Sequence, residues 1–225
     1  MEVWECIKTR RSIRRFKDKE IPRVKLYRIL ESGSFAPCAG NSQNWRFLIV
    51  ESHSMIEKLP KICGDQDWIS TAPVVIVVCS LAEGLERDFG EDGRAYALQN
   101  TSVAMENMIL AAWNEGIGSC WIGAFDVELL KRELVIPDDV EIHGLLAIGF
   151  PDEHPRQPVK SSAAETSFFE KWDKVTRGGG YPLSERMPAV QEKLARKTRN
   201  VKSAVKKVAG TIVNKLNLDA LKPKL

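Results

Sequence analysis

Long apolar runs are missing from this sequence of 225 residues. The longest, over residues 72–81, is about ten residues, roughly half of what a helix needs to span a bilayer. We therefore expect no transmembrane segment. The amino terminus begins with acidic and amphipathic sequence and lacks the basic start and apolar centre of a secretion signal. These features predict a cytoplasmic protein.

Metal-binding patterns are also missing. The five cysteines are odd in number and no two form a CxxC pair, and the three histidines share no ligand spacing. The usual sequence signatures of zinc ribbons, ferredoxin-type clusters and thioredoxin-like proteins are therefore absent. The sequence predicts no metal site.

Common nucleotide-binding and hydrolase motifs are absent as well. The sequence contains neither GxxxxGKS nor GxSxG, which argues against a P-loop enzyme and an α/β-hydrolase. Its GxG, Gly116 to Gly118, follows a helical pattern, whereas the dinucleotide fingerprint follows a strand and opens a helix. A Rossmann domain is therefore not expected.

The small net charge of +3 conceals an uneven distribution. Residues 177–225 contain twelve basic and three acidic residues, a net charge of +9, whereas residues 1–176 contain 21 basic and 27 acidic residues, a net charge of −6. The chain consists of an acidic body and a basic tail. An acidic body argues against a pure nucleic-acid-binding protein, whose folded face usually concentrates positive charge.

The body mixes strand and helix patterns. β-Branched apolar runs predict buried strands over residues 46–51, 73–80 and 142–149. Helical spacing of small and apolar residues predicts a buried central helix over 94–115, ending at Gly116, and a shorter helix over 127–134. Short helices are expected around residues 4–7 and 24–30, and the acidic stretch 83–92 is expected to be a solvated loop.

Three clusters in the body carry residue types suited to ligand binding. RRSIRRF at residues 10–16 groups four guanidinium groups that could hold a phosphate, although short basic loops are common. PCAGNSQNW at 37–45 offers close backbone approach and amide groups to a heteroaromatic ligand, although turns favour the same residues. GIGSCWIGAF at 116–125 is again glycine-rich around an aromatic residue.

In this order, the three clusters resemble the motifs of the nitroreductase family of FMN-dependent oxidoreductases, and the resemblance covers residues 1–175. IGFPDE at 148–153 is similar to the strand end that precedes the family's last cofactor contacts. The resemblance implies an α+β fold with a central mixed or antiparallel sheet flanked by helices. It also implies a homodimer that binds FMN in its interface and uses NADH or NADPH as co-substrate.

The resemblance also implies roles for individual residues. Arg10 and Ser12 would bind the FMN phosphate with Arg11 nearby, and Arg14 would lie toward the ribityl chain and the N1 and O2 edge of the ring. Backbone groups of Ile122 and Gly123 would face the flavin N5 region. Either Arg156 or Lys160 would complete the phosphate site. The residues expected to reach the partner subunit's flavin are Pro37, Cys38, Ala39 and Asn41, assisted by Gln43.

Several positions depart from the family pattern. Asn44 stands where proline is usual, Cys38 where serine is frequent, and Asn100 at a helix position that often carries aspartate. Cys38 could be a redox thiol, but a small packing residue is the favoured interpretation.

The resemblance predicts hydride transfer from NADH or NADPH through flavin N5 to a nitro compound, a quinone or a flavin, with the cofactor rather than a protein nucleophile carrying the chemistry. The alternative is an FMN-containing binding or regulatory module whose basic tail engages an anionic membrane or nucleic acid. Residues 176–225 are predicted to be a separate amphipathic helical tail with one apolar stripe. Packing of this tail on the acidic dimer is favoured over membrane or nucleic-acid contact.

Overall fold

A four-stranded antiparallel sheet lies at the centre of Met1–Pro158, the first of two compact units in the computed structural model. The structure describes residues 1–168 and 170–172. The strands are β1 (Trp45–Val50), β2 (Val74–Leu81), β3 (Gly118–Ile122) and β4 (Val140–Gly149). The α-helices of this unit are α1 (Val3–Thr9), α2 (Arg23–Ser34), α3 (His53–Ile56), α4 (Leu59–Ile62), α5 (Glu83–Phe89), α6 (Gly93–Asn114) and α7 (Val127–Leu134). Short 3-10 turns cover Ala39–Asn41, Asp67–Thr71 and Gly90–Asp92.

The strand order is β1-β2-β4-β3, and each neighbouring pair is antiparallel. The expected α+β fold is therefore confirmed, in the antiparallel form. Trp45 pairs with Ser80 at one end of the sheet, and Gly118 pairs with Gly149 near the other. Among the described residues, β1 and β3 are the edge strands.

Both faces of the sheet are buried, which explains the continuous apolar run of β2. Side chains alternate between the faces along a strand. Val75 and Val77 pack on the side of α3, α4 and α7, while Ile76 and Val78 pack on the side of α2 and α6. A strand covered on both sides needs apolar residues at every position. The run at 72–81 therefore reflects a central strand.

The predicted central helix is confirmed as α6. The apolar and small side chains that recur at helical spacing are each at most 4% exposed; they are Ala97, Thr101, Ala104, Met105, Met108, Ile109 and Ala112. Gly116 adopts φ = +75° just after the helix, as expected of a residue that ends one. The helix predicted over 127–134 also has these bounds in the structure.

One expectation about local structure was wrong, and one strand was not predicted. The acidic stretch 83–92 is not a loop but α5 followed by a 3-10 turn, with Leu85 fully buried against α6. Burial of Leu85 stabilises this helix, most of whose other side chains are charged. The strand β3 was not predicted, because its sequence, GSCWI, is short and begins with small residues.

The described part of the second unit, 159–168 and 170–172, contains α8 (Ala163–Thr166), which begins with a capping box between Ser162 and Glu165. Phe168 stacks on Trp172 with ring centroids 4.7 Å apart. The predicted tail over 176–225 lies outside the described residues. Of the helices that the structure describes, none combines the length and hydropathy needed to cross a membrane.

Candidate cofactor site

The arginine-rich segment 10–16 lies along the outer side of β3. Ser12 forms a parallel bridge with Ser119, and the Ile13 amide donates to the Ser119 carbonyl at 2.9 Å. On its other side, Phe16 bridges to Pro151. The structure thus brings together three of the stretches that the sequence singled out, 10–16, 116–125 and 148–153, at one edge of the sheet.

Two cross-strand glycines make this close approach possible. Gly118 and Gly149 are register partners on β3 and β4. A Cβ atom at Gly118 would lie 2.7 Å from Ile13 Cγ1, and one at Gly149 would lie 2.8 Å from Phe16 Cδ1. Ile13 is 1% exposed and Phe16 6%. The two apolar residues of RRSIRRF therefore pack on a glycine pair, while Arg14 and Arg15 between them are exposed.

The guanidinium groups of this segment fall into two kinds. Arg11 donates to the Arg10 carbonyl at 2.7 Å, whereas Arg15 donates to the Asp152 carbonyl at 2.9 Å and pairs with the Asp152 carboxylate at 3.4 Å. Within the described residues, no carboxylate lies at ion-pair distance from the guanidinium of Arg10 or Arg14. Unpaired arginines beside the half-buried Ser12 can bind a phosphate, because guanidinium donates two parallel hydrogen bonds to an oxyanion.

The contact between Trp68 and the arginine segment was not predicted. The guanidinium carbon of Arg14 lies 5.9 Å from the centre of the Trp68 ring, at the outer limit of a cation–π contact. Trp68 comes from the 3-10 turn Asp67–Thr71, about fifty residues from Arg14 in sequence. Sequence spacing contains no signal for such a contact.

The β3 segment contributes backbone groups more than reactive side chains. Ile122 is buried, whereas Gly123 and the Trp121 ring are exposed. Burial raises the pKa of the Cys120 thiol, although the positive charges of Arg14 and Arg10 act in the opposite direction. The thiol is therefore protonated at neutral pH and is a poor nucleophile.

The loop 37–45 is held by Asn100 of α6. The Asn100 Oδ1 accepts from the Ala39 amide at 3.0 Å, and its Nδ2 donates to Asn44 Oδ1 at 2.8 Å. Asn41 and Gln43 adopt left-handed backbone conformations with φ of 55° and 43°, and both are exposed. Asn41 and Gln43 thus lie on the surface of this chain, whereas Asn44 is buried.

Cys38 has a packing role in this loop. The half-buried side chain packs against Ala36, Trp45 and Ala104, and its sulfur accepts from the Gln43 amide at 3.4 Å. These contacts support the packing interpretation over the redox interpretation.

The loop 37–45 and the arginine segment lie at opposite corners of the sheet. Trp45 of β1 pairs with Ser80 of β2. Ser119 of β3 pairs with Ile148 of β4, which in turn pairs with Val74 of β2. Six residues along β2 and three strand spacings across the sheet separate the two corners by about 25 Å. Within one chain, the structure does not bring the loop to the arginines.

The residues expected to complete the phosphate site fall in different units. Arg156 is exposed and belongs to Met1–Pro158, three residues beyond Glu153, which contacts the arginine segment. Three residues of chain reach at most about 10 Å. Lys160 is exposed and belongs to Val159–Leu225. Proximity along the chain favours Arg156.

Comparisons with known proteins identify relatives of the chain. The profile of the nitroreductase family matches residues 7–66 and 61–150. A protein of Methanothermobacter thermautotrophicus, provisionally named NADH dehydrogenase/NAD(P)H nitroreductase, is 35% identical over 159 residues, 69% of this chain and 80% of that protein.

Solved structures show the same fold. A nitroreductase family protein from Clostridium novyi NT superposes with a TM-score of 0.63 at 30% identity, covering 77% of this chain and 96% of that one. An FMN-dependent nitroreductase from Clostridium difficile R20291 gives a TM-score of 0.66 at 25% identity, covering 75% of this chain and 99% of that one.

Proposed function

Because the chain belongs to the nitroreductase family, we propose that it is an FMN-dependent NAD(P)H oxidoreductase. FMN supplies the chemistry when bound, by taking hydride from NADH or NADPH at N5 and passing electrons to a small acceptor such as a nitro compound, a quinone or a flavin. The protein's contribution is to bind the cofactor, orient it and set the charge around it. The name of the Clostridium difficile neighbour supports FMN as the cofactor.

The observation that carries the proposal is the corner where Arg10 and Arg14, which have no carboxylate partner among the described residues, meet the end of β3. Arg10 and Ser12 bind the phosphate there, with Arg11 close by. Arg10, Arg11 and Arg14 place three positive charges within five residues, and a phosphate dianion offsets their mutual repulsion. The residues present therefore fit a flavin mononucleotide.

Arg14 and the β3 backbone act on the ring in this proposal. Arg14 places positive charge at the N1 and O2 edge and stabilises negative charge that develops there. Ile122 and Gly123 present backbone groups toward N5, and the absence of a side chain at Gly123 leaves that approach open.

The partner subunit supplies the loop 37–45. The separation of about 25 Å between the loop and the arginine segment favours a site built from two chains. We propose a homodimer in which Pro37, Cys38, Ala39, Asn41 and Gln43 of one chain complete the flavin site of the other. A C2 dimer repeats this contact and forms two equivalent sites.

The first test measures FMN binding. The purified protein is expected to contain about one FMN per chain, whose absorption bleaches when NADH or NADPH is added anaerobically. Arg10→Ala removes a charge-assisted phosphate contact worth about 1.5 to 3 kcal/mol, which raises the Kd for FMN ten- to hundredfold. Arg132→Ala, an exposed arginine on α7, is the control and keeps wild-type affinity. Unchanged affinity in the double variant Arg10→Ala, Arg14→Ala would contradict the phosphate assignment.

The second test is complementation between two defective variants. An Arg10→Ala chain lacks the phosphate contact, and an Asn41→Ala chain lacks the partner's loop contact. If each site uses both chains, mixed dimers contain one intact site, so full exchange at equal concentration restores high-affinity FMN binding in about a quarter of all sites. If each site were built within one chain, the mixture would recover no high-affinity FMN binding. A protein that sediments as a flavin-loaded monomer would also contradict the shared site.

A further inference from the structure

We propose that Glu153 is a positioning residue that fixes the Arg14 backbone at the flavin edge, an inference that rests on the proposed function. One carboxylate oxygen, Glu153 Oε1, accepts from the amides of both Arg14 and Arg15, at 2.5 and 3.2 Å. Glu153 lies just beyond β4, about 140 residues from the arginine segment in sequence.

The rest of the segment explains why these two amides need a partner. On one side, Ile13 donates to the Ser119 carbonyl, and on the other, Lys17 donates to the Phe150 carbonyl at 2.8 Å. Arg14 and Arg15 lie between these two attachments, and although the Arg15 carbonyl accepts from the Asp152 amide at 2.9 Å, no backbone carbonyl among the described residues accepts from the two arginine amides. Successive amides that converge on one oxygen form an anion-binding concavity, and Glu153 fills it from within the chain.

This contact fixes the backbone position from which the Arg14 side chain extends. The Glu153 carboxylate holds the amide of Arg14, and the Trp68 ring lies beside its guanidinium at 5.9 Å. Hydrogen bonds to an ionised acceptor are about twice as strong as neutral ones. Glu153 thus fixes the backbone of a cation whose own side chain has no carboxylate partner among the described residues.

The contact also has an electrostatic consequence. The negative charge of Glu153 lies beside Arg14 and offsets part of the positive charge offered to the flavin. Removal of that charge without loss of the hydrogen bonds would stabilise the reduced, more negative flavin and raise its midpoint potential. Positioning and charge can therefore be separated by the choice of substitution.

Three variants make that separation. Glu153→Ala removes both hydrogen bonds and the charge, whereas Glu153→Gln removes the charge and keeps an acceptor oxygen for weaker, neutral hydrogen bonds. Asp152→Asn is the matched control, because it removes the same charge one residue away, and with it the Arg15–Asp152 ion pair at 3.4 Å, while the Asp152 backbone carbonyl still accepts from Arg15. All three are first checked for wild-type secondary structure and dimerisation.

The first measurement uses the protein without FMN. Hydrogen exchange of the Arg14 and Arg15 amides is expected to accelerate at least tenfold in Glu153→Ala and to stay within about threefold of wild type in Glu153→Gln and Asp152→Asn. The second is the FMN Kd, expected to rise about tenfold in Glu153→Ala and to be rescued in Glu153→Gln. The third is the flavin midpoint potential, expected to rise in Glu153→Gln.

The outcomes that overturn the inference differ from those that overturn the proposed function. Wild-type amide exchange and FMN affinity in Glu153→Ala would show that Glu153 positions nothing. Equal loss in Glu153→Gln and Glu153→Ala would assign the effect to charge instead of hydrogen bonding. A wild-type protein that binds no FMN would overturn the proposed function, while amide exchange would still decide whether Glu153 anchors the segment.

Discussion

His143 occupies a bulge in the pairing of β2 and β4. Val78 pairs with Gly144 and Cys79 with Ile142, so His143 has no register partner on β2. Its Nε2 lies 2.7 Å from the hydroxyl of the fully buried Ser80, and the His143 side chain is 11% exposed. Burial lowers the pKa of His143 below its usual 6.5, and the nearby Glu141 carboxylate opposes this shift. The folded protein therefore favours the neutral form of the His143 ring.

This histidine makes stability depend on pH. Because its pKa is lower in the folded than in the unfolded state, its contribution is complete above about pH 6.5 and is lost as the pH falls through the lowered folded pKa. Lowering the pH from about 7.5 to about 5 is expected to reduce the Tm of wild type more than that of His143→Gln. His154→Gln, at an exposed position, is the control and keeps the wild-type dependence. Parallel curves for wild type and His143→Gln would contradict this assignment.

At the scale of elements, the glycine pair Gly118 and Gly149 joins the arginine segment to the sheet. Two strand ends without side chains give Ile13 and Phe16 a surface on which to pack, and the intervening arginines then face outward. The second glycine of the GIG sequence thus has a packing role. Gly116, the first, ends α6 with a positive φ.

Gly118→Ala tests this junction. The added Cβ would lie 2.7 Å from Ile13, so the segment must shift, at a cost of about 1 to 3 kcal/mol in stability. A weaker affinity for FMN is expected with it, since Arg10 and Ser12 move with Ile13. Chemical denaturation and FMN titration measure the two effects. Gly84→Ala in α5, where the nearest atom is the Arg87 guanidinium at 3.9 Å, is the control and should be neutral or slightly stabilising.

At the scale of the whole molecule, the first unit is an α+β body, whereas the segment of positive net charge lies outside the described residues. The body carries −6 over residues 1–176 and the tail +9 over 177–225. Charges of opposite sign attract over distances of about a Debye length, which shortens as salt increases. We propose that the tail is a separable element that stabilises the acidic dimer.

Truncation after Lys174 tests the tail. The shortened chain is expected to keep its FMN and its NAD(P)H oxidation, whereas its dimer dissociates at higher protein concentration than that of the full chain. The difference in dimer dissociation between the truncated and the full chain should shrink at high salt. Sedimentation at several protein and salt concentrations measures it. Complete loss of flavin from the truncated chain would show that the tail builds the site and that the proposed boundary near residue 175 is wrong.

The sequence by itself determined the elements whose pattern is long and local. Ala97, Met105 and Met108 recur at the period of a helix, and the run around Val75 to Val78 has the composition of a strand buried on both faces. Ordered motifs also indicated the family, because each motif is contiguous in the chain. These signals rest on periodicity and on neighbouring residues, which a sequence displays directly.

The tertiary structure decided what depends on residues distant in sequence. Glu153 and Trp68 meet Arg14 only through the pairing of β3 with β4 and the packing of the turn Asp67–Thr71. The bulge at His143 arises from a register shift that no local pattern marks. Strand order also determined that the loop 37–45 lies at the corner opposite the arginines. Contacts of this kind depend on chain topology, and the free energy that stabilises them comes from burial, which is shared among segments far apart in the sequence.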